Sequence, residues 1–446
     1  MKIVIAGIGQ IGTYLAKMLV RRDHDITVID EKKEKLDALS TDYDVLTVNG
    51  SASSIEVLEQ ANVQNSDLYI AVTKHQEVNI ISSILAKKLG AKKTLARIDN
   101  NEYVVDEHRK IITELGVDSL IYPEILASDE IVNIVRHPSM IKTVEFAGGK
   151  LVLFTLKVAH DNPIAGKTLV EVAREYEFLK ARVVALSRGN RTIIPRGRDK
   201  VLPGDIIYII TDKDGLEQVK EILRLPKFNV RNIMILGGSR IGLKAAMALE
   251  NDYYIKIFEK DKAKSEYLAD VLHNALVINS EARDADFLID EGIEQVDVFI
   301  AVTGNSEINI LSSLLAKRLG VKLTITQVEN IDYFELAKNM DLDFIINKKL
   351  IAASHIFAHT IGANVASVQC FSDTEAEVLE FVVPEGAKIT RKKLSDIDFP
   401  EGAIIGGGQR NGEVFIAVGD TRIQPGDRVV VFALPDVVDR VARFFK

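Results

Sequence analysis

Gly7-Ile8-Gly9-Gln10-Ile11-Gly12 is a complete GxGxxG, and Asp30 closes the next apolar run, DITVID. Together they suit phosphate and ribose chemistry. The first glycine permits a tight turn, the second lets a pyrophosphate approach the backbone, and the third lets a helix pack on a strand. Amides at the helix start then face the phosphates, where the helix dipole also favours negative charge. A carboxylate at Asp30 can accept from both ribose hydroxyls and repels a 2′-phosphate, so NAD or an adenine nucleotide is favoured over NADP. The alternative is a glycine turn kept for packing, with Asp30 as a helix cap.

Further candidates lie where a doubly wound sheet opens at its strand ends. Ser51 and Ala52 follow DVLTVNG and fall beside the adenosine; Thr73 and Lys74 follow DLYIAVT; Arg97 lies in KTLARI. Thr73 can donate to a phosphate oxygen or cap the helix beginning near Glu77, and Arg97 can supply positive charge.

Six strands must carry these residues: KIVIAG, DITVID, DVLTVNG, DLYIAVT, KTLARI and DSLIYP, alternating with helical patterns as in a parallel sheet covered on both faces. The same order returns from Asn232 as NIMILGG, YYIKIFE, ALVINS, DVFIAVT, LTITQV and DFIIN. Residues 67–90, DLYIAVTKHQEVNIISSILAKKLG, match 297–320, DVFIAVTGNSEINILSSLLAKRLG, at most positions, which marks a duplicated domain rather than shared periodicity. After each copy comes a helical stretch, 124–136 and 349–361, and then short strands with tight turns. These end in LPGD at Leu202 and QPGD at Gln424.

The fold class is therefore α/β: two Rossmann-like doubly wound parallel-sheet domains, each followed by a small α+β domain. The expected boundaries are 1–123 and 229–348 for the Rossmann-like domains, 124–140 and 349–368 for the linker helices, and 141–225 and 369–446 for the small domains.

The second copy has changed where it matters. Gly237-Gly238-Ser239-Arg240-Ile241-Gly242 carries serine at the point of closest backbone approach, Glu259 replaces Asp30 and Gln327 replaces Arg97. A Cβ at Ser239 takes room and the lost arginine removes a charge partner, although Arg240 can partly restore it. Ser239, Arg240, Ile241 and Glu259 are thus candidates for a weaker or different ligand, or parts of a degenerate structural copy.

Catalytic signals are thin. Hydride transfer needs a proton donor or acceptor near the nicotinamide; His75 is the nearest, reads better as a surface loop residue, and becomes Asn305 in the second copy. His355 and His359 stand i, i+4 on a helix, where a shared metal competes with simple packing, and no third ligand is evident. A single Cys370 excludes an intrachain disulfide framework and fits a reducing cytoplasm. The net charge of −8 argues against nucleic acid as a partner, and no polybasic cluster supports direct adhesion to lipid; the run 391–393 reads as a solvated helix face. No apolar run approaches the ~20 residues that cross a bilayer, and glycines stand where a signal peptide would have its apolar stretch.

With GIGQIG, Asp30, the paired AVT…E.N segments and the two PGD turns in place, the chain resembles the Trk-type potassium-uptake regulators, built from regulator-of-potassium-conductance domains, along essentially its whole length. The resemblance implies a non-catalytic cytoplasmic subunit, peripheral to the membrane through a potassium channel or transporter subunit. It also implies a homo-tetramer whose eight Rossmann-like lobes form a gating ring. The implied ligands are NAD, NADH, ATP and ADP, held by Gly7 to Ile11, Asp30, Ser51, Ala52, Thr73, Lys74 and Arg97, with Ser239, Arg240, Ile241 and Glu259 as the second set. The competing classes are an NAD-dependent oxidoreductase with a duplicated regulatory half and a nucleotide-sensing scaffold without a channel partner.

Overall fold

The computed structural model describes residues 1–20, 24–138, 142–177, 179–189, 191–224, 229–281, 285–360, 365–370 and 376–446. Its first sheet comprises β1 (Lys2–Ala6), β2 (Asp25–Asp30), β3 (Leu46–Asn49), β4 (Leu68–Ala71), β5 (Lys93–Arg97) and β6 (Ser119–Ile121). The order is β3-β2-β1-β4-β5-β6, parallel throughout. All of β4 is buried, as a strand covered by helices on both faces requires. The order reverses between β1 and β4, so the loops after these two strands flank the crevice in which such sheets bind ligands.

An antiparallel sheet follows: β7 (Lys142–Phe146), β8 (Leu151–Lys157), β9 (Ala181–Arg188), β10 (Arg191–Ile193) and β11 (Ile206–Asp212), in the order β10-β9-β11-β8-β7. The second parallel sheet has β12 (Asn232–Leu236), β13 (Tyr254–Glu259), β14 (Ala275–Asn279), β15 (Val298–Ala301), β16 (Leu323–Gln327) and β17 (Phe344–Ile346), in the order β14-β13-β12-β15-β16-β17. The last sheet repeats the antiparallel pattern with β18 (Val365–Cys370), β19 (Glu377–Val382), β20 (Ala403–Arg410), β21 (Glu413–Ile416) and β22 (Arg428–Ala433), ordered β18-β19-β22-β20-β21. The helices after the Rossmann-like sheets run Pro123–Arg136 and Lys348–Ala358; residues 139–140 and 361–364, placed in the linkers by the sequence, lie outside the described residues.

The chain alternates large and small domains, but its compact units sort them by kind. One unit joins Met1–Val135 to Val230–Thr360, and the two small domains gather in the other. In the second unit, Leu151, Leu153, Val184 and Tyr208 share one core with Val378, Val430 and Phe432. The rings of Tyr208 and Phe432 meet edge-on at 6.1 Å.

Each PGD turn ends in a buried acid with two tasks. Asp205 accepts from the Leu202 amide at 2.8 Å and takes two hydrogen bonds from the Arg188 guanidinium, both at 2.8 Å. Asp427 repeats this with Gln424 and Arg410. Burial pushes the Asp205 carboxyl up, but Arg188 and the Leu202 amide outweigh it and hold the group below 3.8. The unfolded chain therefore protonates first as pH falls, so this stability is present above about pH 4 and is lost below it. Asp205→Ala is expected to cost about 2 kcal/mol at pH 7, measured as a lower urea midpoint, with the gap to wild type narrowing at pH 3.

The two linker-helix histidines, His355 and His359, place their ring centroids 5.9 Å apart. Burial, with His355 and Lys93 nearby, lowers His359 to about 4, keeping it neutral at neutral pH. No group of three His, Cys, Asp or Glu side chains among the described residues is arranged to hold a metal ion.

Candidate functional site

After β1 the chain turns through Gly7 with φ +98°, a conformation that residues with a Cβ rarely adopt. A Cβ there would stand 2.7 Å from the Thr73 backbone, in the loop after β4. At Gly12 a Cβ would come within 2.0 Å of the Gly7 carbonyl oxygen. Both glycines are thus fixed by packing. Gly9 is not: a Cβ there meets nothing within 4 Å. The space it leaves belongs to a cavity of about 370 Å³, within the range of small-molecule sites.

Asp30 organises the turn itself. Its Oδ2 accepts from the Ile8 amide at 2.7 Å and its Oδ1 from the Lys32 amide at 2.9 Å, with the Lys35 ammonium 4.0 Å away. The Ile8 amide is therefore spoken for, and the Ile8 side chain is buried. The helix that follows, Gln10–Val20, begins its backbone ladder at Thr13, which donates to Gly9, so the amides of the first turn have no partner within the helix. Gln10, Ile11 and Asp30 line the cavity together with Gly7 and Gly9.

Arg97 contributes the positive charge. One guanidinium nitrogen donates to the Thr73 carbonyl at 3.3 Å, while its buried Nε has no hydrogen-bond partner. Ala52, Thr73 and Lys74 line the same space. Ser51 does not; its hydroxyl pairs with that of Ser53 at 3.1 Å.

The Thr73 hydroxyl is taken up by the fold. It donates to Asn79 Oδ1 at 2.7 Å, and Asn79 donates in turn to the carbonyls of Thr73 and Arg97. Thr303 and Asn309 reproduce the arrangement in the second copy. The repeated E.N spacing therefore marks a buried asparagine that ties the loop after the fourth strand to the end of the fifth. His75 is exposed at the start of the helix Gln76–Leu89 and borders the cavity.

Lys348 and Lys349, which head the second linker helix, also line this first-copy pocket. Lys349 donates to the Gln10 side chain, and Lys348 pairs with Glu124 at 3.1 Å and Glu329 at 3.0 Å. The contacts with Gln10 and Glu124 join positions more than two hundred residues apart in the sequence. The available signal was the alignment of the copies, in which the lysine pair stands where the first copy has Pro123-Glu124.

The second glycine turn caps one of its own amides. Ser239 Oγ accepts from the Gly242 amide at 3.3 Å, taking one of the amides that the first copy leaves open. Glu259 is 8% exposed and holds the amides of Gly238 and Asp261 at 3.0 and 2.8 Å. The Ile241 side chain is buried. Arg240, expected to restore charge at its own turn, donates to the Asp99 carbonyl of the first copy, and Lys244 donates to Asn101 at 2.7 Å. The physical reason is proximity: this helix start abuts the loop after β5.

A duplicated Rossmann-like chain with an open glycine turn in the first copy, a closed one in the second, and a small antiparallel domain after each defines a tandem regulator-of-potassium-conductance architecture. Residues 3–123 and 233–348 match the TrkA-N domain, and 153–224 and 378–446 match the TrkA-C domain. The chain belongs to the TrkA family of Trk system potassium uptake proteins. The TrkA protein of Halomonas elongata is 33% identical over 438 residues, covering 97% of this chain and 96% of that one. A TrkA homolog of Archaeoglobus fulgidus is 32% identical over 451 residues, covering both chains in full at 100%. Among solved structures, the GsuK RCK domain aligns over 100% of this chain and 94% of its own with a TM-score of 0.60 and 17% identity. The GsuK channel bound to NAD aligns over 99% and 78% with a TM-score of 0.60 and 16% identity. These two likenesses speak to the fold. Among the described residues, no helix is long and apolar enough to cross a membrane.

Proposed function

We propose that the chain is a non-catalytic regulatory subunit that sits on the cytoplasmic face of a membrane potassium transporter and responds to NAD(H) or an adenine nucleotide in its first pocket. The observation that carries this reading is the space at Gly9, a glycine the fold does not need, opening on a cavity beside Asp30 and the unpartnered Nε of Arg97. In this reading the open amides of the helix start take the phosphates, Asp30 takes the ribose hydroxyls and Arg97 supplies charge. Family membership supports the potassium-uptake role, and the GsuK channel, a protein of the same fold, has been seen with NAD.

Regulation then works as a population shift in a homo-tetrameric ring of eight lobes. A nucleotide that contacts both Rossmann-like halves better in one ring conformation favours that conformation. A swing from mostly closed to mostly open takes about 5.5 kcal/mol of differential binding, which several sites per ring can share.

The test is calorimetric titration of NADH, NAD, ATP and ADP into wild type and Gly9→Ser. The serine transplants the second copy's residue, adds a Cβ that touches no protein atom, and offers a cap to the Gly12 amide. Expected is saturable wild-type binding, at least ~10-fold weaker in the variant, with thermal stability unchanged or slightly higher. No wild-type binding by any of the four would make the glycine turn structural. If binding is confirmed but flux through the reconstituted transporter ignores saturating nucleotide, the gating part of the reading is wrong.

A further inference from the structure

The geometry points to Lys349, backed by Lys348, as a clamp through which the second Rossmann-like domain reads the number of phosphates on a nucleotide in the first domain's pocket. The inference rests on the nucleotide reading above and adds to it a residue pair and a specificity.

Lys348 and Lys349 occupy the first turn of the helix Lys348–Ala358, and the helix start is held rigidly. Asn347, 2% exposed, accepts from the amides of Lys349 and Leu350, both at 3.0 Å, and donates to the Val328 carbonyl at 2.7 Å. The first turn is the wrong end of a helix for positive charge, since the dipole there disfavours cations. Local helix physics therefore gives no reason for two adjacent lysines. Their surroundings do.

Lys348 is saturated by protein carboxylates. It lies between Glu124 and Glu329, at 3.1 and 3.0 Å. Burial would lower its proton affinity, but the two glutamates outweigh burial and keep it charged. Lys349 is less committed: it shares Glu329, at 3.1 Å, with Lys348, and its other partner is the neutral side-chain oxygen of Gln10. Gln10 begins the helix whose open amides face the cavity. The Lys349 ammonium thus stands one side chain from the phosphate position, with half of a counter-ion.

The second copy supplies an internal control. Arg97 pairs in register with Ile121, and Gln327 with Ile346. Counting on from those pairs, Lys348 corresponds to Pro123 and Lys349 to Glu124. The lysine pair, carried by the second copy, thus stands at the first copy's open glycine turn, whereas the first copy's own counterparts, Pro123 and Glu124, offer no cation to the second turn.

A nucleoside monophosphate ends at the helix start and leaves Lys349 on Glu329 and Gln10. Each further phosphate extends the anion toward Lys349, which exchanges a shared carboxylate for it. NADH, whose pyrophosphate is followed by a second ribose rather than a terminal phosphate, gains less. Nucleotides of different phosphate number would therefore differ in how strongly they tie one half to the other.

The experiment is calorimetry with AMP, ADP and ATP, EDTA present, on the whole chain as wild type, Lys349→Gln and Lys349→Arg. Lys348 and Glu329 remain paired in both variants. Wild-type affinity is expected to rise from AMP to ATP. Lys349→Gln should weaken ATP about 10-fold and leave AMP within about 2-fold, and Lys349→Arg should restore most of the preference. An equal loss for AMP and ATP would make Lys349 a structural residue, and no loss for ATP would reduce it to a partner of Glu329; either outcome overturns the clamp. Equal wild-type affinity for AMP and ATP would overturn the clamp and leave the nucleotide reading standing. Absence of wild-type binding to all three as well as to NADH would remove both.

Discussion

Asp30→Ala is expected to weaken NADH at least ~100-fold, because in the proposed nucleotide reading it deletes the acceptor of two ribose hydroxyls, each worth about 1.5–3 kcal/mol when the acceptor is charged. It also releases the amides of Ile8 and Lys32, which the carboxylate holds at 2.7 and 2.9 Å, so the glycine turn keeps only the Gly7 amide's bond to the Ile29 carbonyl of β2. ATP and ADP should fall by a comparable factor, since they present the same adenosine ribose. NADPH should behave differently. In wild type the carboxylate repels its 2′-phosphate; in the variant that repulsion is gone, and Lys32 and Lys35, which line the same cavity, remain to meet the added charge. The preference for NADH over NADPH is therefore expected to approach parity in Asp30→Ala, measured by competition of the two dinucleotides in calorimetry. Uniform loss of all dinucleotides with no change in preference would place Asp30 in the turn alone and not on the ribose.

The sequence makes the duplication and the strand order legible because both are written locally. Buried parallel strands are short apolar runs, each followed by a turn residue, and the two copies confirm each other position by position. The small domains show their inner strands for the same reason. β7 and β18, the short runs KTVEF and VASVQC, adjoin the linkers, and the expected linker 349–368 runs into β18. In the pocket, Gly7 and Gly12 announce themselves because the backbone conformation and the close approach leave no other residue type, and Gly9 and Asp30 because they complete the spacing. Thr73 was legible as a pocket residue but not as a partner of Asn79, and Ser51 turned toward Ser53 for reasons that spacing does not carry. Least legible were Lys348 and Lys349. Their place in the first pocket depends on how one copy packs on the other, which a pattern confined to a single copy cannot express.

Gly12→Ala separates the glycine that the fold needs from the one that only a ligand needs. The added Cβ would lie 2.0 Å from the Gly7 carbonyl oxygen and 3.1 Å from its carbon, and both are backbone atoms that no rotamer change can move. Relief requires the helix Gln10–Val20 to shift away from the turn, which uncovers Leu15, Ala16 and Leu19 on its packed face. Overpacking against a flexible neighbour costs about 1–3 kcal/mol; against fixed backbone the upper end is expected, about 3 kcal/mol, read as a lower urea midpoint and as faster amide exchange in β1 and β2. Gly242→Ala offers a parallel case, with its Cβ 2.3 Å from the Gly237 oxygen, and should cost about as much although its own turn is closed by Ser239. The comparison isolates the chemistry. If both third-glycine variants destabilise alike while Gly9→Ser leaves stability intact and costs only nucleotide affinity, then packing explains the third glycine in both copies. The second glycine is then explained by what enters the first pocket. A large loss of stability in Gly9→Ser would reverse that assignment.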